Sequence, residues 1–284
     1  MTFSGAAMVA GVVGRPVRHS LSPLLHNAWI AAAGLDAVYA PFEVTESGFE
    51  RFIETLRDSS VRGLNVTLPF KARALACAEL SDGAARAAGA ANVLLFGGDD
   101  GIEARNTDGL GLLAALAEQA PELRLAGASV VLLGAGGGAR GAAAALLSAG
   151  VVRLTLVNRS IERARSLAAA LGSPVDAQPW SLLPAALRQA DLVVNATSTE
   201  LSGGATLDID WPGAKPGPVV MDMVYQPLET PFLAGARAQG LTCVDGLEML
   251  IGQARPAFEA FYGQAPPANV DARSLALAAL GARG

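Results

Sequence analysis

Two histidines and two cysteines in 284 residues leave little from which to build a metal centre or a disulfide framework. Cys77 and Cys243 stand far apart and form no Cys-x-x-Cys pair, which points to a reducing cytoplasm. No carboxylate or cysteine completes a ligand set with His19 and His26, so no metal is expected. The net charge of −5 gives a nucleic-acid partner no electrostatic footprint. No stretch reaches the roughly 18 uninterrupted apolar residues of a membrane helix, so no membrane is expected. The alanine-rich run after Gly141 comes closest, but Arg140 bounds it and Ser148 breaks it. The residues up to Gly14 are small and apolar and lack the basic start of a signal peptide. Apolar residues, in contrast, make up 51% of the chain and charged ones 17%, enough for a buried core and too apolar for disorder.

Short β-branched runs alternate with Ala/Leu-rich runs, the pattern of βαβ units and a parallel sheet covered by helices. The runs predict strands over Met8–Val13, Ala37–Val44, Gly63–Leu68, Ala91–Phe96, Val130–Leu133, Arg153–Val157, Leu192–Asn195, Val219–Asp222 and Leu241–Val244. Helices are predicted over Pro23–Ala33, Glu46–Ser59, Gly109–Gln119, Ala139–Ala149, Ile161–Leu171, Leu182–Ala190, Pro231–Gln239 and Leu247–Ala254. There is no repeat and no low-complexity tail. A second, glycine-rich βαβ unit opens after Gly127, placing a boundary near Asp108–Gly111. The segments past Asp245 read as helices with no strand to follow, suited to packing back on the first lobe.

Ser129–Leu133 runs directly into Gly134-Ala135-Gly136-Gly137-Gly138-Ala139 and then an Ala/Leu helix. This is G-x-G-x-x-A in a strand–turn–helix setting. Its glycines allow a tight turn and a close approach of the backbone to a pyrophosphate. The helix N-terminus offers that anion free N–H groups. A plain glycine-rich turn would share the composition; the flanking strand and helix favour the nucleotide loop. The next strand ends in Asn158-Arg159-Ser160, with Arg163 following. A site for NAD places an acid at this strand end to bond the ribose 2′-OH. Here two arginines stand instead, suited by charge and fork geometry to a 2′-phosphate, so the cofactor expected is NADP (NADPH). Solvated arginines at a helix start are the plainer alternative.

In His19-Ser20-Leu21-Ser22-Pro23, Ser22 reads as an N-cap and Pro23 as the first helical residue. Two hydroxyls beside free helix N–H groups would suit a carboxylate, although a simple capped helix reads the same. In Gly63-Leu-Asn65-Val-Thr67-Leu-Pro69-Phe-Lys71, strand alternation puts Leu64, Val66, Leu68 and Phe70 toward the core. Asn65, Thr67 and Lys71 would share the other face if the strand stays extended past Pro69: an amide, a hydroxyl and an ammonium suited to a polyol. Asp108 opens a helix and by itself reads as an N-cap.

Eight motifs in order resemble the shikimate dehydrogenase family nearly end to end. They run from Gly14-Arg-Pro-Val-Arg-His-Ser-Leu-Ser-Pro-Leu-Leu-His-Asn27 through Asn65-Val-Thr-Leu-Pro-Phe-Lys71, Asn106-Thr-Asp-Gly-Leu-Gly111 and the glycine loop. They continue in Asn158-Arg-Ser160, Asn195-Ala-Thr-Ser198, Asp222-Met-Val-Tyr-Gln-Pro227 and Asp245-Gly-Leu-Glu-Met-Leu-Ile-Gly-Gln253. The resemblance implies reversible reduction of 3-dehydroshikimate to shikimate by NADPH, in aromatic amino acid biosynthesis. It implies that Lys71 and Asp108 form an acid–base pair and that Ser20 and Ser22 hold the substrate carboxylate. Asn65, Thr67, Asn92, Tyr225 and Gln253 would hold ring hydroxyls or line the pocket, and Met223 and Gly246 would flank the nicotinamide. The implied fold is α/β with two lobes: a mixed α/β substrate-binding domain (1–110, completed by 245–284) and a Rossmann-type NADP-binding domain (111–244), with the site in a cleft between them. Hydride delivery to a ketone leaves an alkoxide that needs a proton, and an ammonium such as that of Lys71 can supply it. A neighbouring carboxylate would orient the lysine and hold its charge.

Three residues depart from the family pattern: Val93 after Asn92 where Thr is usual, Arg105 before Asn106 where Gly is common, and Glu200 in place of a small residue. They bear on packing behind Asn92 and on a contact between lobes, not on the Lys71/Asp108 pair. The alternatives are an NAD-dependent quinate/shikimate dehydrogenase and a non-catalytic ligand sensor. The paired serines and arginines speak against the first. The presence together of Lys71, Asp108 and the glycine loop speaks against the second. The partners expected are small molecules, with the chain a monomer or homodimer.

Overall fold

Seven residues, Met8–Gly14 (β1), carry five buried positions in a row, as a strand covered on both faces requires. The structure, a computed structural model, describes residues 3–98, 101–197, 207, 209–211 and 217–281. After β1 come α1 (Ser22–Ala32), β2 (Ala37–Glu43), α2 (Phe49–Arg57, entered through a 3₁₀ turn), β3 (Val61–Val66) and α3 (Lys71–Ala76). Next are β4 (Leu80–Ser81), α4 (Gly83–Ala88), β5 (Val93–Gly98) and β6 (Gly101–Arg105). These strands form one sheet in the order β2-β1-β3-β5-β6-β4. β1 is parallel to β2 and β3, whereas β5 is antiparallel to both β3 and β6. α2 shows why the helices form here: Phe49 and Ile53, four apart on one face, are fully buried in a cluster with Leu64, Val66 and Phe70.

The second half runs α5 (Asp108–Gln119), β7 (Ser129–Leu133), α6 (Gly137–Ser148), β8 (Arg153–Val157), α7 (Ile161–Leu171), β9 (Val175–Gln178) and α8 (Leu183–Leu187). It continues with β10 (Leu192–Asn195), β11 (Val219–Asp222), α9 (Pro231–Ala238), β12 (Cys243–Val244), α10 (Gly246–Tyr262) and α11 (Ala272–Gly281). Its sheet is wholly parallel in the order β12-β11-β10-β7-β8-β9. The chain reverses direction of travel across the sheet between β7 and β10, and ligands of such sheets bind beyond the strand C-termini at that point. Both faces are covered, one by a cluster around Leu132, Leu146 and Leu154, the other by one around Leu133, Val193 and Phe232. Local signals bound three of the helices. Ser160 caps α7, Thr230 caps α9 ahead of Pro231, and Gly89 ends α4 in the left-handed region at φ 59°.

By compactness the chain divides into one unit of Met1–Thr107 with Ile251–Gly284 and another of Asp108–Leu250. The return point lies inside α10. Among the described residues no helix is long and apolar enough to cross a membrane.

The mixed and parallel sheets agree with the α/β expectation, but several elements differ in detail. β4, β6 and β9 are edge or near-edge strands with too few apolar residues to show as runs. The short helices α3 and α4, and α11, also escape the pattern. Gly63–Leu68 does not stay extended: β3 stops at Val66, and Leu68 is 59% exposed rather than in the core.

Candidate active site

In the first unit, polar side chains gather on the buried side of β3. Asn65 is buried, because the face opposite Leu64 and Val66 is itself covered. Its Oδ1 accepts from the Tyr39 hydroxyl at 2.7 Å, and its Nδ2 donates to the Asn92 carbonyl at 3.2 Å. Asn92 Nδ2 donates to Thr107 Oγ1 at 2.9 Å and to Gln253 Oε1 at 3.1 Å. Asn65, Asn92 and Gln253, distant in sequence, therefore join one hydrogen-bonded array.

Lys71 is not on a strand. A turn closed by Phe70 N–H to the Thr67 carbonyl, at 3.0 Å, separates it from β3, and it is the first residue of α3. That position is held from two sides. Phe70 before it is fully buried and stacks on Phe49 with ring centroids 4.4 Å apart. The Lys71 carbonyl accepts from Ala91 N–H at 2.8 Å, next to Asn92. Arg73, over both of those rings at 5.3 Å, is paired with Glu50, which locks the turn further. Thr67 is half-buried, and its methyl group occupies the place a Cβ on Gly14 would need. Asp108, buried, is the first residue of α5 rather than a flanking cap.

Ser22 likewise is not the cap of α1. It lies inside the first turn, and Leu21 holds the cap position without a side-chain hydrogen bond. Ser20 does the local work instead, its Oγ accepting from Ser22 N–H at 3.2 Å. Ser22 is buried. His26, on the same helix, is fully buried. It stacks on Tyr39 at 4.0 Å, and its two ring nitrogens have no partner. Burial holds its pKa down to about 3, so the ring is neutral and part of the core. Among the described residues no three His, Cys, Asp or Glu side chains converge as a metal set.

In the second unit, Gly134 ends β7 at φ 118°, with its N–H donated to the Val157 carbonyl at 2.8 Å. Only glycine takes that conformation without strain. Gly136 and Gly137 differ. Neither has a positive φ, and a Cβ on either would meet nothing within 4 Å. The fold does not itself demand glycine there, and the space left at the start of α6 fits a pyrophosphate approaching the helix N-terminus. A Cβ on Gly138 would touch Met223 Cε at 3.4 Å, and one on Gly246 would strike the carbonyls of Met223 and Val224 at 2.6 Å. Met223 is thus brought beside both the glycine loop and the start of α10. Ala139 is fully buried beneath the loop. At the end of β8, Asn158 Nδ2 donates to the Ser160 carbonyl at 2.9 Å, and Arg159 and Arg163 are exposed.

Chemistry missed in the sequence surrounds these residues. Asp222, fully buried at the end of β11, accepts from Asn195 Nδ2 (3.1 Å), Val224 N–H (3.0 Å) and Thr230 Oγ1 (2.7 Å). It fixes the turn that carries Met223 and the half-buried Tyr225. Asp245 accepts from the N–H groups of Leu247 and Glu248, at 3.0 and 3.1 Å, and so starts α10. Of the three departures, Val93 is buried on β5, and Arg105 forks onto Glu103 of its own strand at 2.7 and 2.9 Å. Glu200 and Ser198 lie outside the described residues.

Residues 12–94 match a family model described as the shikimate dehydrogenase substrate binding domain, and residues 115–202 one described as shikimate / quinate 5-dehydrogenase. The chain is 55% identical, over 98% of both sequences, to the shikimate dehydrogenase (NADP(+)) of Caulobacter vibrioides strain NA1000. The chain belongs to the shikimate dehydrogenase family. Its fold superposes on shikimate 5-dehydrogenase from Thermus thermophilus, crystallised with NADP(H) and shikimate, with a TM-score of 0.83 and 33% identity, covering 97% of this chain and 99% of that one. A quinate dehydrogenase from Corynebacterium glutamicum, crystallised with NAD, gives 0.85 at 27% identity, covering 96% and 99%. Fold similarity within the family therefore does not separate shikimate from quinate or NADP from NAD; the more similar sequence relatives carry the name shikimate dehydrogenase (NADP(+)).

Proposed function

We propose that the protein catalyses the reversible, NADPH-dependent reduction of 3-dehydroshikimate to shikimate. The observation that carries this reading is the presence, in one chain of this family, of two prepared half-sites. One is the Asn65–Asn92–Gln253 array of the first unit; the other is the open glycine loop of the second, followed by Arg159 and Arg163 where an acid would select NAD. In this reading the unit of 1–107 and 251–284 binds substrate and the unit of 108–250 binds NADP.

NADPH, when bound, supplies the hydride. Ser20 and Ser22 hold the substrate carboxylate. Asn65, Thr67, Asn92, Tyr225 and Gln253 hold or line the ring hydroxyls. The Lys71 ammonium donates a proton to the C3 oxygen as that oxygen gains charge, and the amine takes it back in the oxidative direction. Asp108 serves as the orienting carboxylate. Gly134–Ala139 cradle the pyrophosphate, Asn158, Arg159, Ser160 and Arg163 face the adenosine 2′-phosphate, and Met223 and Gly246 flank the nicotinamide. The free, half-buried Cys77 and Cys243 are consistent with a cytoplasmic setting.

Steady-state rates with shikimate and quinate, each with NADP+ and NAD+, test the reading. Shikimate with NADP+ is expected to be fastest; faster NAD+-dependent quinate oxidation would overturn it. Replacing Lys71 by Ala tests the proton role. Turnover is expected to fall about 10²- to 10⁴-fold with shikimate binding largely retained, and near-normal turnover in a folded variant would exclude it.

A further inference from the structure

Tyr39 lies on β2 and is 2% exposed. A phenylalanine would fill the same space. A hydroxyl buried this deeply is costly unless it is hydrogen-bonded, and that of Tyr39 is bonded to Asn65. It donates its only proton to Asn65 Oδ1 at 2.7 Å.

The ring has no freedom to carry the hydroxyl elsewhere. It stacks on His26 at 4.0 Å with 15° between planes, and Phe261 packs against it at 6.3 Å. The backbone of Tyr39 is clamped by one side chain of α1: Asn27 Oδ1 accepts from Tyr39 N–H at 3.1 Å, and Asn27 Nδ2 donates to the Tyr39 carbonyl at 2.8 Å. The helix that carries Ser22 and the strand that carries Tyr39 are thereby locked together. Burial also pushes the phenol pKa well above its ordinary value, so the group remains a donor throughout the working pH range.

The consequence falls on Asn65. An amide can be turned over at little steric cost, exchanging donor for acceptor. With Tyr39 donating to Oδ1 and the Asn92 carbonyl accepting from Nδ2, the flipped amide would set oxygen against oxygen at Asn92 and leave the Tyr39 proton without that acceptor. Among the described residues this leaves one amide N–H of Asn65 uncommitted, held in a fixed direction.

We propose that Tyr39 is a positioning residue for substrate, whose hydroxyl holds the amide of Asn65 in one orientation. The proposal rests on the assignment of Asn65 as a substrate contact.

The test is a double-mutant cycle in the full-length enzyme, with Tyr39→Phe, Asn65→Ala and the pair. The NADP+ KM and the thermal transition of each variant report folding, and Asn65→Ser replaces Asn65→Ala if the latter does not fold. Tyr39→Phe is expected to lower kcat/KM for shikimate about tenfold, the worth of one neutral hydrogen bond, mostly through KM and with the NADP+ KM unchanged. In the Asn65→Ala background the same change is expected to cost less than about twofold. Additive losses would overturn the proposal, as would a Tyr39→Phe enzyme that loses thermal stability while its kcat/KM stays within about twofold of the parent. If Asn65→Ala itself leaves kcat/KM unchanged, the assignment of Asn65 fails and the proposal fails with it. If Asn65→Ala is impaired and Tyr39→Phe is not, only the proposal fails.

Discussion

The backbone N–H of Thr107 donates to Asn92 Oδ1 at 2.7 Å, and the Thr107 hydroxyl accepts from Asn92 Nδ2 at 2.9 Å. The same hydroxyl gives its proton to the Gln253 carbonyl at 3.0 Å. One threonine thus ties the end of the first sheet to α10 and stands immediately before Asp108. Thr107→Val keeps the shape and deletes the hydroxyl together with its hydrogen bonds to Asn92 and the Gln253 carbonyl. A loss of about 1–3 kcal/mol is expected in urea unfolding, with Thr107→Ser keeping most of the stability. Equal stability of the Val and parent proteins would show that the hydroxyl contributes nothing.

Gly137 separates a demand of the ligand from a demand of the fold. As the first residue of α6 with open space around its missing Cβ, it gains helix propensity on Gly137→Ala. Stability is expected to hold or rise by up to about 1 kcal/mol. The NADP+ KM is expected to rise about tenfold or more, because the added methyl occupies space next to the helix N-terminus that an anion would use. A variant that loses stability while keeping its KM would reverse this assignment.

Removing both Arg159 and Arg163 as alanines is expected to raise the NADP+ KM about ten- to a hundredfold, the range for charge-assisted hydrogen bonds. The KM for NAD+, which lacks the 2′-phosphate, should change little. A parallel loss for both cofactors would mean that the arginines support the strand end rather than read the phosphate.

His26 supplies a pH dependence with a definite sign. Its pKa is lowered to about 3 in the folded protein by burial, against about 6.5 when unfolded. Above pH 6.5 both states are neutral and the residue costs nothing. As pH falls below 6.5 the unfolded chain takes up a proton that the folded chain refuses, so stability declines toward pH 3. Between pH 7 and 5 this amounts to about 2 kcal/mol by linkage. His26→Phe should flatten that part of the unfolding free-energy curve, and an unchanged slope would place the proton elsewhere.

Much of this was legible in the sequence where one physical demand dominates a segment. The strand–glycine–helix junction at Leu133–Gly138 and the Ser160 cap of α7 follow from backbone chemistry, and β8, β10 and β11 match their runs residue for residue. Reading failed where tertiary contacts override the local pattern. Alternation continued past Val66 put Leu68 in the core and Lys71 on a strand, whereas the stacked Phe49 and Phe70 pull the chain into a turn there. Ser22 looked like a cap because Pro23 follows it, but Ser20 takes that hydrogen bond. Tyr39 gave no local signal, and Thr107 and Asp222 stood in motifs without a role, since what each holds lies elsewhere in sequence.

The first unit closes only when residues 251–284 join residues 1–107. During synthesis the ribosome must therefore release the whole of the second unit before the first can be finished. The parallel sheet and its glycine loop have all their strands once β12 is made, while the array around Asn92 waits for Gln253, carried by α10. Vectorial folding from the N-terminus is thus inverted here: the later-encoded body can mature first, and the earlier-encoded one stays unfinished until the final helices emerge.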